Sequence, residues 1–168
     1  RYITGAPSLA KLVKSPKRLH VMRDLSEVNQ ELLPLKALAD RELASIYGLT
    51  GMVYTPYIDE YMQVSIKKAA ILASLKEQGY IPLSEVEVIS AELDLLHKRA
   101  RSNAVFEYKG NQYKRRFSPL KLSKSGKNVQ KWAKFWLLQL PNGNVDLRWE
   151  REVREIWPSY FLIRTINM

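Results

Sequence analysis

Glu107 and Lys109 stand one residue apart in the tripeptide "EYK", with Asp94 upstream. Carboxylates of this kind can hold Mg²⁺ while a lysine steadies an attacking water, the chemistry of a metal-dependent nuclease. The spacing is short, however, and Asp94 belongs to a predicted helix instead of a neighbouring strand. Glu107 is equally explained as the cross-strand partner of Lys114, so hydrolysis ranks below binding as a reading. Other catalytic chemistries lack their residues. The 168-residue chain has no cysteine, which removes thiolate nucleophiles, thiolate zinc sites and disulfides together, and its only histidines are His20 and His97. No Gly-rich phosphate loop, nucleophile elbow or dinucleotide fingerprint occurs, and no cofactor is expected.

A different chemistry is written in "YKGNQYKRRFSPLKLSKSGKNVQKW", Tyr108 to Trp132, which carries eight Lys or Arg and no acid. The charge of the whole chain is segregated around it. Residues 1–23 hold six bases and no acids, 24–94 hold five bases against twelve acids, 95–134 hold twelve bases against Glu107 alone, and 135–168 balance. A net charge of +10 distributed this unevenly attracts polyanions, of which the phosphate backbone of DNA or RNA is the commonest. The acidic middle is also able to pair with the basic zone and silence part of it.

The residues expected to bind nucleic acid are Lys98, Arg99, Arg101, Lys109, Lys114, Arg115, Arg116, Lys121, Lys124, Lys127 and Lys131. Lysines neutralise phosphates, while the planar forks of Arg115 and Arg116 suit base or groove contacts. Taking Gly110-Asn111 as a two-residue turn sets Tyr108 opposite Tyr113, Phe106 opposite Arg115 and Ala104 opposite Phe117 on one face. Val105, Glu107, Lys109, Gln112, Lys114 and Arg116 occupy the other. Tyr108 and Tyr113 would stack on bases if their face met solvent, although aromatic rows more often pack into a core. "SPLKLSKSGKNVQKW" reads as a long Ser/Lys/Gly loop following a phosphate backbone. The arm "KLVKSPKRLHVMR" is a second basic patch.

The elements that must position these residues follow from hydrophobic period and punctuation. Ser8–Lys14 reads as a short helix followed by an extended "RLHVMR". A helix with Asp24 as cap and Glu27 closing a capping box runs to Gly48, kinked or divided at Pro34. A second, from about Ile58 to Gln78, stops at Gly79. "PLSEVEVISAELDLLHKRA" is a third, with Ser84 and Glu87 as its box and Val86, Ile89, Leu93 and Leu96 on one stripe. Alternation then predicts a hairpin over "NAVFEYKGNQYKRRF" and another over "KFWLLQLPNGNVDLRWE", turning at Pro141–Asn144. "REVREIW" is ambiguous between strand extension and a helical turn, the interleaved acids and arginines of "WEREVREIW" read as a salt-bridged solvent face, and "YFLIRTIN" reads as a final strand.

The expected fold class is α+β, with N-terminal helices packed on a C-terminal antiparallel sheet of hairpins. A basic arm, 1–23, precedes one domain, 24–168, with its helical part at 24–100 and its sheet at 101–168. A helix-turn-helix over "LASIYGLTGMVY" is weighed down by Pro56, which would interrupt the recognition helix, and by acidic surroundings. The function expected is non-enzymatic nucleic-acid binding, DNA or RNA, through about 98–131. The alternative is a structural subunit of a ribonucleoprotein assembly, meeting protein partners through the Trp-rich C-terminal region of Trp132, Trp136, Trp149 and Trp157. No run reaches the roughly eighteen apolar residues of a membrane span, and the absence of cysteine suits a reducing compartment. The chain opens on Arg1, which is compatible with a preceding segment.

Overall fold

The structure is a computed structural model and describes residues 19–49 and 53–163. Its elements are α1 (Met22–Ile46), α2 (Pro56–Glu77), α3 (Glu85–Leu96), β1 (Val105–Tyr108), β2 (Asn111–Leu122), β3 (Val129–Gln139) and α4 (Leu147–Ile156), then a 3-10 turn at Pro158–Phe161. Helices precede a three-stranded antiparallel sheet ordered β1-β2-β3, an α+β arrangement. The expected helix at Ser8–Lys14 and most of the basic arm lie outside the described residues, as do Thr50–Met52 of the helix-turn-helix candidate.

Helices α1 and α2 form an antiparallel hairpin around Val28, Leu35, Val64, Ile71 and Leu75. Pro34 lies inside α1 without dividing it; Val28 and Leu35, on either side, are buried against α2, and this packing outweighs the lost hydrogen bond. The helix begins two residues ahead of the expected Asp24 cap. Val21 is the extended cap residue, and its N–H donates to the Asp24 carboxylate at 2.9 Å. Pro56 opens α2 at a position where its missing N–H costs nothing, so it starts a helix instead of interrupting one. The N-terminus of α2 is capped from a distance: Ile58 and Tyr57 N–H groups donate to the Glu42 carboxylate of α1 at 3.0 and 3.3 Å. Gly79, at φ +85°, ends α2 as expected, with Tyr80 N–H donating to Leu75 O and Gly79 N–H to Lys76 O. Ser84 and Glu87 close α3 reciprocally, as their spacing predicts.

The β1–β2 turn is Lys109-Gly110, both at positive φ, one residue ahead of the expected Gly110-Asn111. Pairing therefore slips by two: Phe106 faces Tyr113, and Tyr108 faces Asn111. A slip of two preserves parity, so the two faces keep their expected residues. The expected loop after Phe117 is instead strand. β2 continues to Leu122 and β3 begins at Val129, leaving a tip of only residues 123–128. Pro119 is tolerated because β1 has ended, so its missing N–H belongs to an unpaired edge while Trp132 of β3 lies opposite.

The second expected hairpin is absent. After the turn at 141–143 a single bridge joins Gln139 to Val145, and the chain enters α4. Asp146 caps it by accepting the Trp149 N–H at 3.1 Å, and Trp149 and Val153, four residues apart, bury on one face. The alternation in "VDLRWE" loses to that cap and period. The expected final strand begins as the 3-10 turn, and its residues from Arg164 lie outside the described set. One core joins Val86, Ile89 and Leu93 of α3 to Tyr113, Phe135, Trp136 and Leu137 of the sheet and to Trp149 and Val153 of α4. Leu96, expected on the α3 stripe, is 60% exposed. The Trp149 indole N–H donates to Trp136 O at 3.0 Å, so α4 closes the outer edge of β3.

Candidate functional site

Along one face of the sheet, alternation aligns Tyr113, Arg115, Phe117 and Pro119 of β2 with Leu138, Trp136, Lys134 and Trp132 of β3. This face divides into two halves. Under α3, Tyr113 and Trp136 are buried, and the Tyr113 ring lies 5.4 Å from Trp149. Burial raises the Tyr113 phenol pKa. Removing about 150–250 Å² of each aromatic from water is worth about 4–6 kcal/mol, more than the 1–3 kcal/mol of a base stack. Tyr113 is therefore core and not a stacking surface. Tyr108, half-buried, donates its hydroxyl to Glu92 at 2.7 Å, and that hydrogen bond raises its pKa. Its polar edge is engaged by α3 and not offered to a ligand.

Arg115 is withdrawn from the expected site as well. It is 5% exposed, donates to Asp94 at 2.7 Å and stacks over Trp136 at 4.7 Å. Asp94 Oδ1 also accepts the Trp136 indole N–H at 2.9 Å. One carboxylate of α3 thus holds two side chains of the sheet's inner face. Glu107 lies on the opposite face and is exposed, so Asp94 and Glu107 do not converge on a common metal site. Among the described residues no group of three His, Asp or Glu side chains is placed to hold a metal ion.

Beyond Arg115 the sheet narrows to the β2–β3 hairpin. From Arg116 to Leu122 it extends about 20 Å, at roughly 3.3 Å per residue. Residues 116–134 hold Arg116, Lys121, Lys124, Lys127, Lys131 and Lys134 and no acid. All six are exposed, and none forms an ion pair with a described residue. Lys121 and Lys131 are register partners across an irregularity in the ladder, a like-charge juxtaposition that opposes folding unless an anion lies nearby. The tip is tied by Ser123, whose N–H donates to Asn128 O at 2.8 Å and whose O accepts from Gly126 N–H at 2.9 Å. Lys124 and Lys127 therefore project from a defined turn.

The structure distributes the other expected residues around this hairpin. Lys98, Arg99 and Arg101 are exposed at its base, where Asn103 N–H donates to Arg115 O and Arg115 N–H to Ala104 O. Lys114 and Arg116 point to the opposite face, half-buried and exposed respectively. Lys109 sits in the β1–β2 turn, and the twelve residues of β2 separate that turn from the tip by about 40 Å. It is also 3.7 Å from Glu92. The expected continuous patch is therefore a basic finger and its base, without Arg115 and with Lys109 at the far end.

Three residues of the finger fall outside the expected set. Trp132 is 42% exposed, Phe117 lies 6.3 Å from it, and Lys134 stands over the Phe117 ring at 5.2 Å. The signal was present in the shared parity of Phe117, Pro119, Trp132 and Lys134 and in the basic run reaching Lys134.

A second concavity of about 370 Å³ lies between the helical hairpin and α4, with Lys36, Lys68, Arg151 and Arg154 around Tyr61 and Phe161. Here three cations are already met by acids: Lys36 by Asp40, Lys68 by Glu155 and Arg154 by Glu150. No helix among the described residues is long and apolar enough to cross a membrane. Comparison with known proteins finds no matching family model, no matching curated protein and no matching solved structure.

Proposed function

We propose that the protein is a non-enzymatic nucleic-acid-binding protein that grips the phosphate backbone with the β2–β3 finger. The observation that carries this reading is the set of six exposed cations on residues 116–134, with no acid among them and no ion-pair partner among the described residues. Such a surface exchanges condensed counterions for lysines, which makes affinity steep in salt and indifferent to sequence. Lys98, Arg99 and Arg101 extend the contact at the base.

The test is fluorescence anisotropy of labelled duplex DNA, single-stranded DNA and structured RNA over a salt series, with Lys121, Lys124, Lys127 and Lys131 together changed to Ala. The expected result is a steep slope of log affinity against log salt that flattens by about 3 in the variant, at roughly 0.7–0.9 per lost phosphate contact. Weak binding unaltered by the four substitutions would refute the reading.

A structural subunit of an RNA–protein assembly is the second reading. It is favoured by the exposed apolar side chains where α1 gives way to α2: Leu43, Tyr47, Leu49, Tyr54 and Tyr57. A solitary binder stays monodisperse at low salt by light scattering, and an assembly subunit self-associates.

A further inference from the structure

We infer that the finger selects unpaired strands, with Trp132 as the platform on which a base stacks. This rests on the backbone-binding reading and names its substrate class. Trp132 and Trp136 lie on the same face of β3, four residues apart, yet Trp136 is fully buried under the core while Trp132 is 42% exposed. The face continues past the helix that covers it, and the aromatic character continues with it. The exposed part of the indole adds nothing to the core, so its position among lysines that pair with no described acid calls for an apolar ligand attached to an anion. A nucleotide has that composition.

The neighbouring side chains determine how the ligand lies. Phe117 backs Trp132 at 6.3 Å, and Lys134 is held over the Phe117 ring, which leaves the indole as the ring offered outward. Lys134 stands two residues along β3 on the face of Trp132, while Lys131, directly before Trp132, and its partner Lys121 project from the opposite face of the two-stranded ribbon. A strand whose base stacks on the indole would set one flanking phosphate near Lys134 and pass the next around the ribbon's edge toward Lys131 and Lys121. A duplex hides its base faces within the stack and presents only phosphates and groove edges, whereas a single strand presents both halves of the match.

The experiment measures anisotropy of oligo(dT), oligo(U) and a mixed-sequence DNA duplex of equal length with the full chain and with Trp132→Leu and Trp132→Phe. Leu keeps apolar bulk without a π face, and Phe keeps the π face. Single strands are expected to bind more tightly than the duplex. Trp132→Leu should weaken single-strand binding roughly 5- to 100-fold, the equivalent of one lost stack, while leaving the duplex unchanged, and Trp132→Phe should recover most of the loss. Equal binding of duplex and single strand, insensitive to Trp132, overturns the inference and leaves backbone binding standing. No salt-dependent binding to any probe overturns both.

Should Trp132→Leu fail to fold, tryptophan emission of the unaltered chain decides. Quenching by oligo(dT) that disappears in Trp132→Phe supports the stack. Quenching that persists in Trp132→Phe, or is absent from the start, removes it.

Discussion

The protein contains two hairpins that treat charge in opposite ways. The helical hairpin of α1 and α2 uses its acids internally: Glu31 pairs with Lys67, Asp40 with Lys36, and Glu42 caps α2 across the hairpin. From Arg116 to Lys134 the β2–β3 hairpin carries cations with no acid of its own and no ion pair to a described residue. Charge that is compensated within the fold contributes to structure, and charge left uncompensated is available to a ligand. The dividing line falls between adjacent residues, since Arg115 is buried on Asp94 while Arg116 is exposed and pairs with no acid among the described residues.

The contact between Asp94 and Arg115 is where that contrast is most easily broken. Asp94→Ala leaves a buried guanidinium and the Trp136 indole N–H without their shared acceptor. A stability loss of about 3 kcal/mol in urea unfolding is expected. Arg116→Ala should stay within about 0.5 kcal/mol. Equal losses from the two would erase the distinction.

A smaller effect tests compensation by pH. Glu87 is influenced most by burial, which raises its pKa, but its hydrogen bonds to Lys76 and Ser84 and the Lys76 charge together outweigh burial and lower it. A carboxyl whose folded pKa is depressed adds stability that is fully present above its ordinary value of 4.5 and is lost as pH falls through the lowered folded value. Lys76→Met should cost about 1.5 kcal/mol at neutral pH and flatten the acid limb of the stability curve measured by urea titration. A limb as steep as before would mean the pair is idle.

The smallest expected effect has the most informative sign. Lys131→Glu replaces a like-charge pair with Lys121 by an attractive one and should raise stability by about 0.5 kcal/mol, read as a small upward shift in Tm. The same substitution should weaken oligo(dT) binding. Gaining stability while losing affinity is what an uncompensated binding surface predicts; loss of both would make the lysines structural.

How much of this was legible depended on how far apart the deciding residues lie. Local signals read correctly: the Ser84–Glu87 box, the Gly79 stop and the parity of the β1–β2 faces each involve neighbours in sequence. The β1–β2 turn was misplaced by one because Lys109 takes a positive φ that sequence favours for Asn. The fate of Arg115 was hidden because its partner Asp94 is distant in the chain and on another element. Trp132 and Trp136 are indistinguishable by parity, and only the point at which α3 stops covering the sheet separates them. The first turn of α4 reads as strand, and the rest of it as undecided, because Val145–Glu150 alternates well enough to imitate a strand until Asp146 is recognised as a cap.

The bond from the Trp149 indole to the Trp136 carbonyl has a consequence for synthesis. The outer edge of β3 is complete once Gln139 has been made, but its guard is made about ten residues later. During that interval a nascent chain presents an open strand edge at the backbone of Trp136 and Leu138, the kind of template on which chains of the same message can pair with one another. The delay between the emergence of β3 and that of Trp149 therefore sets how long each new molecule is vulnerable to its neighbours.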